Sequence, residues 1–259
     1  MSKEKLKKSV GFERVYKIWE YLKRNTDSEH PTTPAEMLCG ALPRPFKLVD
    51  NLALILYYLY MIKYCHLKGG AHLEIIESIL TNNPCYKAGK RIKVKGLMLH
   101  SVGCPQPSAE VFVKKWNSPD ASRACVHAFI DGNNGKVYQT LPWDYRAWHC
   151  GGTANNTHIG VEMCEPACIK YTGGSTFTCS DREAAMVVVK RTYDTAVELF
   201  AYLCKQFGLD PMADGVIISH KEGHDRGLAS GHQDPSHLWN GLQSGYTMDG
   251  FRRDVQRKI

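Results

Sequence analysis

No Cys-x-x-Cys pair occurs in the 259 residues, the nearest approach being Cys164-Glu-Pro-Ala-Cys168. That absence argues against a structural zinc ribbon and against a thioredoxin-like redox site. The chain also lacks the His-Glu-x-x-His metalloprotease helix, the Gly-x-Ser-x-Gly nucleophile elbow, the Walker phosphate loop and the Pro-Cys-x-x-Cys half of the zinc deaminase signature. His220-Lys-Glu-Gly-His224 has its Glu one place too late for the first of these, and Gly223 is a poor helix former. Long apolar runs are scarce. The longest, Leu52–Ile62 between Asn51 and Lys63, falls short of the ~20 residues of a spanning helix, so a buried helix is expected and no membrane span. The charged start, Met1-Ser-Lys-Glu-Lys-Leu-Lys-Lys8, has no apolar signal-peptide core. Synthesis in the cytoplasm is the expectation, with the ten cysteines as free thiols, mostly buried as small hydrophobes. Internal repeats and low-complexity tracts are absent.

Charge is weakly asymmetric. Of the formal net +7, residues 1–70 hold 12 Lys/Arg against 7 Asp/Glu, and residues 71–259 hold 21 against 19. The basic excess is modest and no Arg-dense recognition helix is visible, so no nucleic-acid partner is expected. Residues 1–70 read as a small helical N-terminal segment: Val10, Val15, Ile18, Trp19 and Leu22 fall near helical spacing, and Thr33-Pro34 opens a second short helix. Lys68-Gly-Gly70 reads as a joint, with the main domain at 71–259.

In the main domain Leu73–Leu80 reads as a short amphipathic turn. Strands are expected at Gly96–His100, Val126–Ile130, Lys136–Leu141, Ile159–Met163 and Gly215–Ser219, with Asp131-Gly-Asn-Asn-Gly135 closing a hairpin between the second and third. Helices are expected at Ser108–Asn117 and after Ser180-Asp-Arg-Glu183, whose spacing is that of a capping box; apolar residues recur through Leu203, and Gly208 terminates the helix. Strands alternating with helices, plus one hairpin, predict an α/β fold, a central mixed β-sheet flanked by helices.

The chemistry concentrates where apolar strands stop at histidines. Lys95-Gly-Leu-Met-Leu-His-Ser101 ends near His100, and Gly215-Val-Ile-Ile-Ser219 leads into His220. A glycine-punctuated loop follows the second, carrying His224, His232 and Asp234. A catalytic zinc site uses three protein ligands and leaves one position for water, which suits two His and one Asp. Glu162, in His158-Ile-Gly-Val-Glu-Met163, has two readings: a carboxylate desolvated by apolar neighbours into a general base, or a solvent-facing residue on the face it shares with Gly160.

Taken in order, Leu97-Met-Leu-His-Ser101, Val126-His-Ala-Phe-Ile-Asp131, Val137-Tyr-Gln-Thr-Leu-Pro-Trp143, Arg146-Ala-Trp-His149, His158-Ile-Gly-Val-Glu162 and Gly231-His-Gln-Asp-Pro235 resemble the zinc-dependent N-acetylmuramoyl-L-alanine amidases of the type-2 amidase and peptidoglycan-recognition superfamily, in particular endolysin-like enzymes of clostridial phages and prophages. The resemblance spans about residues 73–257. It implies Zn²⁺ held by His100, His220 and Asp234, and Glu162 as the catalytic acid/base. His232 stands where the family often has an oxyanion-stabilising Lys. Trp143, Trp148 and His149 are the expected substrate-binding residues, the tryptophans equally readable as packing aromatics. The implied partner is peptidoglycan, cleaved between N-acetylmuramic acid and L-alanine by a monomer acting on the cell wall after release. The alternative is a non-catalytic peptidoglycan-binding module of the same fold; retention of all three implied ligands and of Glu162 favours the enzyme.

Overall fold

The computed structural model describes residues 73–121 and 124–259. The helical expectations for residues 1–70, and the apolar run Leu52–Ile62, lie outside the described residues. Six strands form one sheet in the order β1-β4-β3-β5-β2-β8, with β1 Ile75–Glu77, β2 Gly96–Ser101, β3 Ala128–Ile130, β4 Val137–Gln139, β5 His158–Met163 and β8 Ile217–Ser219. All neighbours run parallel except the hairpin pair β3 and β4, so the sheet is mixed and mostly parallel. A separate antiparallel hairpin pairs β6 Ile169–Gly173 with β7 Thr176–Cys179. Five of the six sheet strands fall where apolar runs predict them. The edge strand β1 occupies the segment read as a turn, because its three residues are too short to show a period and gain order only by pairing with β4.

Strand alternation sorts side chains onto two faces. Leu97 and Leu99 of β2, Ile159, Val161 and Met163 of β5, and Ile217 of β8 enter the main core. That core is closed by α3 Arg182–Phe207, which buries Val189, Ala196, Leu199, Phe200 and Leu203, and by Phe251 and Val255 of α6 Met248–Gln256. The helix α3 begins one residue later than its sequence suggests: Asp181, not Ser180, is the cap, accepting from the Ala184 N–H at 2.9 Å. Ser180 instead closes the strand end at Cys168, donating through its N–H and its hydroxyl to the Cys168 carbonyl. Gly208 ends the helix in the left-handed region at φ 63°, as expected.

The opposite face is divided. The first helix, α1, is the short Pro84–Ala88; over β3 and β4, α2 Ala109–Trp116 stacks Phe112 on Phe129. Over β2 and β8 lie Met98, Ile218, Cys150 and Ala154, with α4 His220–Asp225 against them. The sequence favours a loop at α4 because of Gly223. A helix forms because Ser219 and Glu222 make a reciprocal capping box, and because an added Cβ at Gly223 would lie 2.8 Å from Met98 Cε. Arg252 of α6 clamps the same turn through both Glu222 oxygens, at 3.0 and 3.1 Å, and the Ile217 carbonyl at 2.8 Å. Of the eight described cysteines, all free thiols, five are buried. No helix among the described residues is long and apolar enough to cross a membrane.

Candidate metal centre

Parallel strands deliver their ligand-bearing ends to one edge of a sheet, and that edge is where α/β proteins place their sites. In the register of β2 with β8, Leu99 faces Ser219, so His100 and His220 are each the next residue along. The register of β2 with β5 sets His100 directly opposite Glu162. Period-two alternation then turns both side chains away from the core that takes Leu99 and Val161. His220 is the first residue of α4, aimed by the Ser219 cap. Asp234 comes from the loop before α5 Ser236–Gly241, held where its carbonyl accepts from the Lys221 N–H at 3.3 Å.

The three side chains converge. His100 Nδ1 lies 3.1 Å from His220 Nδ1 and 3.1 Å from Asp234 Oδ2, and His220 Nδ1 lies 3.4 Å from Asp234 Oδ1. All three residues are buried. Ligand atoms ~2.0–2.1 Å from a tetrahedral zinc stand about 3.3 Å apart, so the donor spacing fits that ion. The chemistry of the set, two imidazoles and a carboxylate, fits it as well. His232, exposed at the rim, turns its Nδ1 to within 3.4 Å of His220 Nδ1. His224 is also exposed and stands outside the converging group.

Burial dominates the electrostatics. It pushes the His100 imidazole below its ordinary value against the pull of Asp234. For Asp234 burial opposes ionisation, but hydrogen bonding with the His100 and His220 imidazoles outweighs it and holds the carboxyl below its ordinary value. Glu162 is the reverse case. It is half-buried overall, yet its Oε2 is covered and has no hydrogen-bond partner. Burial, then the negative charges of Asp234 and Glu165, push it well above the usual carboxylate range. Of its two sequence readings, the covered Oε2 fits the desolvated one; on the same face Gly160 lies under the His149 ring, where an added Cβ would come within 2.4 Å.

The three expected substrate-binding residues are not brought together as a groove wall. Trp143 is committed to the main core, and Trp148 packs against the buried cluster of Cys85, Cys125, Leu141 and Ala147. His149 sits behind His100, its Nδ1 2.9 Å from His100 Nε2 and its Nε2 3.1 Å from the His158 carbonyl. Burial, then the neighbouring His100 and His127 rings, depress His149 well below an ordinary imidazole. His127 is a fixed strut: its Nδ1 accepts from the Gly160 N–H at 3.0 Å, its Nε2 donates to the Tyr145 carbonyl at 2.8 Å, and burial lowers it to about 4.

Glu165 was invisible in the sequence. It is fully buried and accepts from Ser101 Oγ at 2.7 Å, the Gly103 N–H at 3.1 Å and the Tyr171 hydroxyl at 2.7 Å. Tyr171 in turn meets His237 Nε2 at 2.7 Å. One carboxylate thereby joins the strand end after His100, the β6–β7 hairpin and the helix after Asp234. Burial raises it to about 7 despite those donors. The available signal was Gly173-Gly174-Ser175 between Tyr171 and Phe177, a turn flanked by alternating aromatics, which marks the hairpin that supplies Tyr171.

Comparisons with known proteins bear on the family and the fold. Residues 90–237 match the family described as N-acetylmuramoyl-L-alanine amidase. No curated protein matches the chain. The fold is similar to that of the Staphylococcus aureus hydrolase AmiA, solved in complex with its ligand: 20% identity and a TM-score of 0.51, over 72% of this chain and 82% of that one. The solution structure of the PlyG catalytic domain is similar at 19% identity and a TM-score of 0.50, covering 72% of this chain and 95% of the other.

Proposed function

Because this chain belongs to the N-acetylmuramoyl-L-alanine amidase family, we propose that it is a zinc-dependent peptidoglycan amidase cleaving between N-acetylmuramic acid and L-alanine. The observation that carries the reading is the convergence of His100, His220 and Asp234 directly beside Glu162, whose Oε2 is covered and unpartnered. Those three ligands would hold the ion. Bound zinc supplies Lewis acidity, polarising the scissile carbonyl and making water acidic near neutral pH. Glu162 Oε2 takes the proton of the attacking water, a task suited to a carboxylate whose basicity burial has raised, and returns it to the leaving nitrogen of L-alanine. His232, at the rim with Nδ1 turned inward, donates to the developing oxyanion. All of this chemistry lies in residues 71–259, which we take as the amidase domain. An endolysin-like role on the cell wall after release follows from the same reading.

The test is the bond cleaved and the metal needed. The full chain incubated with purified peptidoglycan should release new N-terminal L-alanine without new reducing sugar, and one zinc per chain should copurify. His100→Ala or His220→Ala should lose both. Undiminished cleavage by a chelator-treated, metal-free preparation would sink the proposal.

A further inference from the structure

The β6–β7 hairpin stands apart from the six-stranded sheet, and two strands alone are marginal in water. It leans on α5. Phe177 lies against Gly241, where an added Cβ would come 2.5 Å from its Cζ, and the Tyr171 hydroxyl meets His237 Nε2 at 2.7 Å. At the open end of the hairpin, where the chain enters and leaves, stand two cysteines. Ile169 is the cross-strand partner of Cys179, and Ser180 donates its N–H and its hydroxyl to the Cys168 carbonyl, so Cys168 is the diagonal neighbour of Cys179. Diagonal neighbours across an antiparallel pair have Cα atoms roughly 6 Å apart, inside the ~4.4–6.8 Å that a disulfide spans. Cys168 is a turn residue just outside β6, so strand alternation does not turn its side chain from Cys179, and the two thiols hydrogen-bond to each other. Both are half-buried, within reach of a small reagent. The other pair of touching thiols, Cys85 and Cys125, is sealed at 2% and 0% exposure.

We propose that Cys168 and Cys179 are a modification site: outside a reducing compartment they close a disulfide that staples the mouth of the β6–β7 hairpin. The co-reactant is a small-molecule disulfide such as oxidised glutathione. A thiolate of the pair attacks one sulfur of that reagent, forming a mixed disulfide and expelling the first small thiolate. The second cysteine, already in contact, then displaces the other. The protein gives up two electrons and both thiol protons, and the reagent takes them and leaves as two thiols. Burial, then the neighbouring Cys179, push the Cys168 thiol above its ordinary value, which makes it a poor leaving group and the closed bond slow to reduce. The staple fixes the strand that carries Tyr171, whose hydroxyl joins Glu165 to His237 at 2.7 Å on either side. The inference goes beyond the amidase reading and does not depend on it.

The experiment exposes the folded full chain to oxidised glutathione, alkylates the remaining thiols and digests with trypsin without reduction. Cleavage after Lys170 and Arg182 puts Cys168 on the peptide 147–170 and leaves Cys179 as the one cysteine of the peptide 171–182, so only a disulfide can hold the two together. The expected product is that joined pair, two hydrogens lighter than the separate thiols. It should vanish in Cys168→Ser and in Cys179→Ser. It should persist in Cys104→Ser, which removes the other half-buried thiol among the described residues. Closing a loop of this size should raise the melting temperature by about 5–10 °C over the reduced chain, a shift that dithiothreitol abolishes and that Cys168→Ser lacks. Cys179 recovered alkylated, as a lasting glutathione adduct, or joined to any other cysteine overturns the proposal. A cross-link that forms only in denaturant, or one that leaves the melting temperature unchanged, overturns it as well. None of these readings involves metal or turnover, so they stand whether or not the chain cleaves peptidoglycan.

Discussion

The two faces of β2 and β5 carry opposite chemistry on the same few residues. One face presents Leu97, Leu99, Ile159, Val161 and Met163 to α3, all buried among apolar neighbours. The other presents His100 and Glu162, with His149 over Gly160. On the apolar face any side chain of the right volume serves, and each buried aliphatic contributes roughly 1.5–3 kcal/mol. On the polar face volume is secondary. Buried imidazole and carboxylate groups are costly unless paired, and the pairing there is left incomplete at Glu162 Oε2. The contrast teaches that the main apolar core and the candidate site lie on opposite faces of the same strands, one residue apart.

The comparison is sharpest where a change alters chemistry at constant shape. Glu162→Gln keeps the volume and removes the basicity, so the rate should fall by ~10²–10⁴ with zinc retained. Asp234→Asn should instead weaken zinc retention, a neutral amide being a poorer ligand. Rate and zinc content measured on the same samples separate the two, and exchanged outcomes would mean exchanged roles. Next in size comes the apolar face. Leu99→Ala, one residue from His100, should cost about 2–5 kcal/mol by urea unfolding yet leave zinc content and turnover of the folded fraction unchanged. A parallel loss of zinc would show that the faces are not separable.

The smallest effect concerns Glu165, a polar-face carboxylate with full pairing. Burial raises it from its ordinary 4.5 to about 7, so the folded state holds its proton more tightly than the unfolded chain. The stability this gives is fully present below about pH 4.5 and is lost as pH rises through about 7, a swing of about 3 kcal/mol. Glu165→Gln does not titrate. Relative to the parent it should therefore gain stability across that window in chelator-treated samples. A difference that stays flat between pH 4.5 and 8 would show that the three donors, not burial, govern this carboxyl.

Much of the fold is legible because local patterns are sufficient for it. Apolar runs mark five strands, Gly208 marks the end of α3, and the Asp131–Gly135 segment closes the β3–β4 hairpin. The strands β1, β6 and β7 escape because three to five residues at a sheet edge or in a lone hairpin carry too little period to read. The helix α4 escapes because an intrinsic penalty for glycine is overridden by a tertiary need for closeness to Met98. For the site, residue types and strand ends are visible, but partners are not: nothing local marks Glu165 as buried or turns His149 inward behind His100.

By itself the sequence determined which face of each strand a residue takes, since a period of two puts His100 opposite in sense to Leu99, and Glu162 to Val161. It also determined that two histidines end apolar runs and that an aspartate follows in a loop. Only the tertiary structure decided that these are one site. His100 and His220 are 120 residues apart in the chain and His100 and Asp234 are 134 apart, yet each pair closes to 3.1 Å, the first because β2 and β8 are neighbours in the sheet, the second because the loop before α5 is held against α4 by the Lys221 N–H. Strand order follows from how helices cover the whole sheet, a sum over many contacts that no single segment encodes.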